Sequence, residues 1–374
     1  MAISNKNFYF KNLDGLRFLA AFGVVLTHCS FFKNARNSNL SNVFSHQLAD
    51  LGGHSVKFFF VLSGFLISYI LLNEFSKTRK INIKKFYIKR ILRIWPLYFL
   101  VGIGGTLLSP FVLSWLNIVE INTTHLLTNL FFLFTFSINL QLVFFDYNRE
   151  IVEILWSVCI EEQFYLLWPW LLLFFRKKII LPSLIFIIVG ILSPFLFSHF
   201  FSHLSLNSPN YFFSTNNFLL IGMGCLFAHI YYFNYLSRFQ NLINNKIFQI
   251  LIISVVLIFV FNGIHYSKYF KNYYLSSFEG ALFGVLILIA ISKNSIITLE
   301  NKLFKELGKI SYGIYLYHTF VAQFMLFVFA KYCSNSFLNF DLLYPFATTI
   351  TTFVISYFSF YLFESKFLSL KNKL

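Results

Sequence analysis

Eleven apolar runs, most of them close to twenty residues long, follow one another along the chain with short polar segments between them. A helix rises 1.5 Å per residue, so about twenty residues cover the roughly 30 Å hydrocarbon core of a bilayer. The ten-residue alternation of a transmembrane barrel is absent. The pattern predicts an all-α polytopic membrane protein.

The polar segments give the runs a direction. The segment "EFSKTRKINIKKFYIKRILR" (74–93) carries eight Lys or Arg against one Glu and is placed in the cytoplasm by the positive-inside rule. The run 54–72 then goes inward, the opening run from residue 13 goes outward, and 94–113 goes outward again. If 125–144 were a full crossing, the "RKK" cluster at 176–178 would fall outside. Reading it as a re-entrant or interfacial segment keeps that cluster inside. The remaining crossings are then 155–175, 179–198, 211–233, 247–264, 273–291, 310–330 and 343–363. This gives about ten transmembrane helices, one re-entrant or interfacial segment and both termini in the cytoplasm. The lysine-free loop 198–210 is read as external. Residues 1–374 read as a single membrane domain.

Composition agrees: 57% of residues are hydrophobic, 21% aromatic and 12% charged, against about 25% charged in a soluble domain. A formal charge of +16 would suggest nucleic acid in a soluble protein. Here the positives concentrate between apolar runs, so membrane lipids are the expected partners and nucleic acid is not. Four cysteines, Cys29, Cys159, Cys225 and Cys333, form no ligand-spaced pair, and no metal site or disulfide scaffold is read from them. No phosphate loop, dinucleotide fingerprint, HExxH pair or GxSxG elbow is present. Nothing speaks to oligomeric state.

The opening run, "LDGLRFLAAFGVVLTH" (13–28), carries candidate chemistry. Eleven residues return a helix to within about 20° of its starting face after a climb of about 16 Å, so Arg17 and His28 share one stripe at two depths. Asp14, one turn below Arg17, can pair with it. A cleaved signal peptide is the competing reading. It lacks a small-x-small cleavage site, and the segment that follows contains Lys33, Arg36 and His46. Histidine in hydrocarbon is a functional hypothesis by default, with a packing histidine as the alternative. A carboxylate partner at a comparable depth is offered by "EILWSVCIEEQFYLLWPWLLLFF" (153–175). Glu161, Tyr165 and Trp168 lie on one helix face there, and Glu162 is adjacent.

Arg90 and Arg93, one helical turn apart, suit a polyanionic phosphate. Lys77, Arg79 and Lys80 are explained by topology, while Lys84, Lys85 and Lys89 add field or meet anionic lipid. In "KFFFVLSGFL", Lys57 lies near one end, and the small pair Ser63-Gly64 permits close helix approach. His318, in "GKISYGIYLYHTF", is either a site residue or a packing residue.

These blocks closely resemble the membrane acyltransferase-3 family. The matching pieces are "LDGLRFLAAFGVVLTH", "VKFFFVLSGFLIS", "RILRIWPLYF", "LWSVCIEEQFYLLWP" and "LGKISYGIYLYHTF", in order from residue 13 to 320. The family's basic residue and histidine eleven positions apart fall on Arg17 and His28. Its RxxR falls on Arg90 and Arg93, and its acid on Glu161 with Glu162 beside it. The resemblance implies a ten-span core in a bacterial inner membrane. It also implies O-acylation of a saccharide or lipid-linked glycan, using cytoplasmic acetyl-CoA or another acyl-CoA as donor substrate and no resident cofactor. Lipopolysaccharide or O-antigen is the preferred acceptor; capsule, peptidoglycan, a small glycoside or a lipid are the alternatives. The SGNH domain that some members carry is not expected here. The implied roles are His28 as general base and Glu161 as its orienting partner. Arg90 and Arg93 would hold the donor phosphates, with Arg17, paired to Asp14, at the same mouth. No oxyanion hole is visible in the sequence, and an acyl-histidine stage stays open. A transporter or flippase of a lipid-linked glycan, and a purely structural membrane protein, are the competing classes.

Overall fold

The computed structural model describes residues 9–36, 48, 50–115, 125–145, 152–200, 212–235, 237, 240–267 and 272–371. His46, and the expected external loop from residue 201 on, lie outside these residues. The architecture is helical. In chain order come α1 (Leu13–Arg36), α2 (Leu51–Thr78), α3 (Ile83–Trp115), α4 (Leu126–Phe134) and α5 (Ile138–Phe144). They are followed by α6 (Leu155–Phe174), α7 (Leu181–Phe200), α8 (Ser214–Tyr232), α9 (Lys246–Ser267), α10 (Asn272–Ile291), α11 (Lys302–Lys309) and α12 (Ser311–Tyr332). A final long helix, α13 (Leu338–Leu370), contains two π-wound turns, Leu338–Leu343 and Phe360–Glu364.

Among the described residues five helical segments, not ten, are long and apolar enough to cross a membrane: Leu13–Ala35, Leu51–Thr78, Ile83–Leu108, Ser311–Tyr332 and Leu338–Leu370. The expected count is corrected accordingly. Five crossings do not return the chain to its starting side, so two cytoplasmic termini do not follow from this count, although Tyr9 and Lys371 line one cavity. Within α7, α9 and α10 the apolar stretches found among the described residues are Leu181–Phe197, Lys246–Phe261 and Leu275–Ile291, none longer than 17 residues. The other two helices are interrupted by polar residues, Glu161-Glu162-Gln163 in α6 and Ser214-Thr215-Asn216-Asn217 at the start of α8. The segment 125–144 forms two short helices, α4 and α5, joined by a turn in which Phe136 has φ 51°. The Phe136 ring stacks on Tyr98 at 4.6 Å, which pins that turn to α3.

The centre of the bundle is α2, apolar on every face, with Phe60, Val61, Phe65 and Leu71 fully buried. A helix of that kind must be surrounded by others, and α2 packs on α1, α8 and α10. Contact with α8 is close because glycines meet across it. A Cβ at Gly64 would strike the Ile221 carbonyl, and one at Gly224 the Val61 carbonyl. This is the small-residue packing that holds helices together where water supplies no hydrophobic drive. On the α1 side, Thr27 Oγ accepts from the Gly52 amide at 2.8 Å and donates to the Leu48 carbonyl at 2.7 Å.

Candidate active site

Five elements, α1, α2, α3, α6 and α12, together with the residue that follows α13, enclose a cavity of about 390 Å³. Seven of the candidate residues line it: Asp14, Arg17, Ser63, Arg90, Arg93, Glu161 and Tyr165. They come from four helices, and the fold brings them to one place. His28, Lys57, Glu162 and His318 lie outside its lining.

Four cations and two carboxylates face this space, because Lys371 joins the three arginines. Arg17 is paired with Asp14 at 2.5 Å, as their spacing on α1 suggests. Arg90 lies over the rings of Phe86 and Tyr165, at 5.8 and 6.0 Å. Its buried Nε has no hydrogen-bond partner among the described residues. Buried guanidinium donors left unpaired are costly, which suits this nitrogen to an anionic ligand. Burial first, and then Arg93, Arg90 and Lys89, pull the Lys371 ammonium down to about 8.

The carboxylate side is built by three consecutive polar residues of α6, which point about 100° apart around the helix. Glu161 faces the cavity and accepts from Tyr165 Oη at 2.7 Å. The Tyr165 proton is thus committed, so the Ser63 hydroxyl, 3.2 Å away, donates to Tyr165 Oη. Glu162 turns to α3 and accepts from Trp95 Nε1 at 3.0 Å. Gln163 donates to the Phe136 carbonyl at 2.8 Å and to Asn139 Oδ1 at 2.9 Å, and so ties the α4–α5 turn to α6. Trp168 points away from the cavity into a cluster with Phe164 and Phe186.

His28 meets His318, not Glu161. The two rings are 4.8 Å apart, with His318 Nε2 3.2 Å from His28 Nδ1. Two backbone carbonyls fix where the protons sit. His318 Nδ1 is 2.6 Å from the Tyr315 carbonyl, and a carbonyl only accepts, so this nitrogen carries the hydrogen. His318 Nε2 then holds a lone pair. His28 Nδ1 is 3.0 Å from the Val24 carbonyl and also faces that lone pair, so it too carries its hydrogen. The basic nitrogen of His28 is therefore Nε2. His318 is fully buried, and Tyr315 joins the pair to the cavity: its side chain lines the cavity and its ring lies 5.8 Å from that of His318.

Lys57 belongs to another buried cluster. Its ammonium is 2.6 Å from Glu279 Oε2, and His54 Nδ1 is 2.5 Å from Glu279 Oε1. Sequence reasoning missed Glu279, although a lone acid inside an apolar run is itself the signal. It also missed Ser157 and Tyr315, whose hydroxyls meet at 2.6 Å beside the cavity, and Lys371. Ser157 sits one helical turn before Glu161 and could have been found from that spacing. Among the described residues no three His, Cys, Asp or Glu side chains gather as a metal site.

Residues 10–362 match the acyltransferase-3 family, described as an acyltransferase domain. The chain is 30% identical over 323 residues to the peptidoglycan O-acetyltransferase OatA of Listeria monocytogenes, covering 83% of this chain and 49% of that protein. It is 28% identical over 327 residues to the O-acetyltransferase OatA of Staphylococcus aureus, covering 83% and 50%. The chain thus spans about half the length of the curated relatives it matches. No solved structure matches it at a significant level. Its candidate spans and its bacterial relatives make it a multi-pass protein of the bacterial inner, or cytoplasmic, membrane.

Proposed function

The chain belongs to this acyltransferase family, and on that premise we propose that it is a membrane-bound, acyl-CoA-dependent O-acyltransferase. It moves an acetyl group onto a hydroxyl of a cell-wall glycan of the peptidoglycan type. The observation that carries the reading is the convergence of Arg17, Arg90, Arg93 and Glu161 on one cavity, with the Arg90 Nε unpaired. Planar guanidiniums recognise phosphate oxygens through paired N–H donors. They would hold the diphosphate end of the donor while its thioester arm runs inward.

Arg17 and His28 are eleven residues apart on α1, about 16 Å of helix, so donor phosphates and reacting carbonyl occupy different depths. His28 Nε2 takes the proton of the acceptor hydroxyl as the oxygen attacks the thioester carbonyl carbon. The C–O bond forms, the C–S bond breaks, and the proton on His28 passes to the departing thiolate. His318 orients His28 by accepting from its Nδ1–H, the part the sequence suggests for Glu161. Glu161 instead positions Tyr165 and offsets the arginine charge in the cavity.

For the acceptor, similarity to a peptidoglycan O-acetyltransferase favours the wall-glycan alternative over lipopolysaccharide or O-antigen. The test is mass spectrometry of wall glycans from cells with and without the intact gene. A gain of one acetyl group per modified sugar, dependent on the gene, is expected. Unchanged wall glycans beside an acetylated lipopolysaccharide or capsule would overturn the acceptor.

A further inference from the structure

The Lys371 side chain, one position beyond the end of α13, lines the cavity that holds Arg17, Arg90 and Arg93. We infer that Lys371 is a fourth phosphate ligand of the acyl-CoA donor, so that the last helix closes the mouth of the donor site. This rests on the donor reading above.

The surroundings favour an anion. From α3, which packs against the end of α13, Lys371 is faced by Lys89, Arg90 and Arg93. Across the cavity stand Asp14 and Arg17 of α1 and Glu161 of α6. Asp14 is paired with Arg17 and Glu161 stands among the arginines, and among the described residues neither forms an ion pair with Lys371. Glu364, on its own helix, takes a hydrogen bond from Ser359 at 3.1 Å. A half-buried amine among guanidiniums is repelled by them, and a multivalent anion turns that repulsion into attraction.

A pH signature follows. With its ammonium pulled down to about 8, Lys371 is partly neutral at pH 8 in the empty protein. A bound phosphate raises it again, so donor binding takes up a proton near pH 8. Affinity for the donor then falls as pH rises through that value.

The experiment is calorimetric titration of the full chain in phosphatidylcholine nanodiscs, in two buffers of different ionisation enthalpy. Acetyl-CoA and the phosphate-free S-acetylpantetheine are the ligands. Lys371→Met should weaken acetyl-CoA binding about tenfold, the low end for a charged hydrogen bond. It should leave S-acetylpantetheine binding unchanged and abolish the proton uptake at pH 8, and Lys371→Arg should restore the affinity. Equal weakening for both ligands, or none for acetyl-CoA, overturns the assignment while the donor reading stands. Absence of acetyl-CoA binding by the unaltered protein overturns both. A Lys371→Met effect seen only in phosphatidylglycerol nanodiscs gives the lysine to a lipid headgroup and overturns it as well.

Discussion

The cationic cavity and the histidine pair share two long helices. Arg17 and His28 are both on α1, and Tyr315 and His318 are both on α12. Yet the two regions are built in opposite ways. The cavity is open, with four cations around about 390 Å³ of space and an arginine nitrogen still lacking a partner. The histidine pair is closed, and both its protons are fixed by backbone carbonyls. On the proposed reading, the region that binds the charged donor keeps charge in reserve. On the same reading, the region that moves one proton holds its base in a single tautomer. The difference separates binding from chemistry along one helix, and substitutions can pull the two apart.

The largest expected effect is in the pair. His28→Ala should lower kcat about 10³-fold, within the range of a positioned general base, while acetyl-CoA affinity, measured by calorimetry, stays the same. An equal loss in affinity would mean that the two regions are one. The Arg90→Ala/Arg93→Ala double variant should do the reverse, weakening acetyl-CoA binding about 10²-fold through lost charged hydrogen bonds. Its KM for the acceptor should not change.

His318 tests the tautomer argument itself. His318→Gln can keep an acceptor facing His28 Nδ1, whereas His318→Asn is too short to reach it. The glutamine variant should retain kcat to within about tenfold, and the asparagine variant should lose several times more. The asparagine variant's pH–rate profile should also move while its KM for acetyl-CoA does not; a purely structural histidine would leave the profile in place. Ser63→Ala should have the smallest effect. Tyr165 keeps its bond to Glu161, so the loss is about 1 kcal/mol, read as a change in acetyl-CoA affinity of less than about tenfold.

How much of this was legible in the sequence depended on the kind of information each feature needs. Helices α1, α2 and α3, and then α12 and α13, stand out because their apolar runs are long. In α6 and α8 the apolar run is broken by polar residues, Glu161-Glu162-Gln163 and Ser214-Thr215-Asn216-Asn217, and mean composition does not tell such a helix from a crossing. The cavity was legible because its residues sit in compact motifs at helical spacing, such as Arg90 with Arg93 and Glu161 with Tyr165. The pairing of His28 was not. Depth along the bundle gave Glu161 and His28 a common height, but height fixes one coordinate and not the direction each side chain faces. His318, 290 residues away from its partner, shares no spacing with it. Lys371 belongs to no motif in the sequence, and only the return of α13 to α3 gives it a place in the site.

The most direct test of the account follows both products of one reaction. Purified protein in nanodiscs is supplied with acetyl-CoA, labelled in its acetyl group, and soluble peptidoglycan fragments; free CoA thiol and labelled glycan are measured together. The account predicts one labelled glycan for each thiol released, with both signals lost in His28→Ala. Movement of the glycan across the membrane with no thiol released, or equal labelling by His28→Ala, would contradict it.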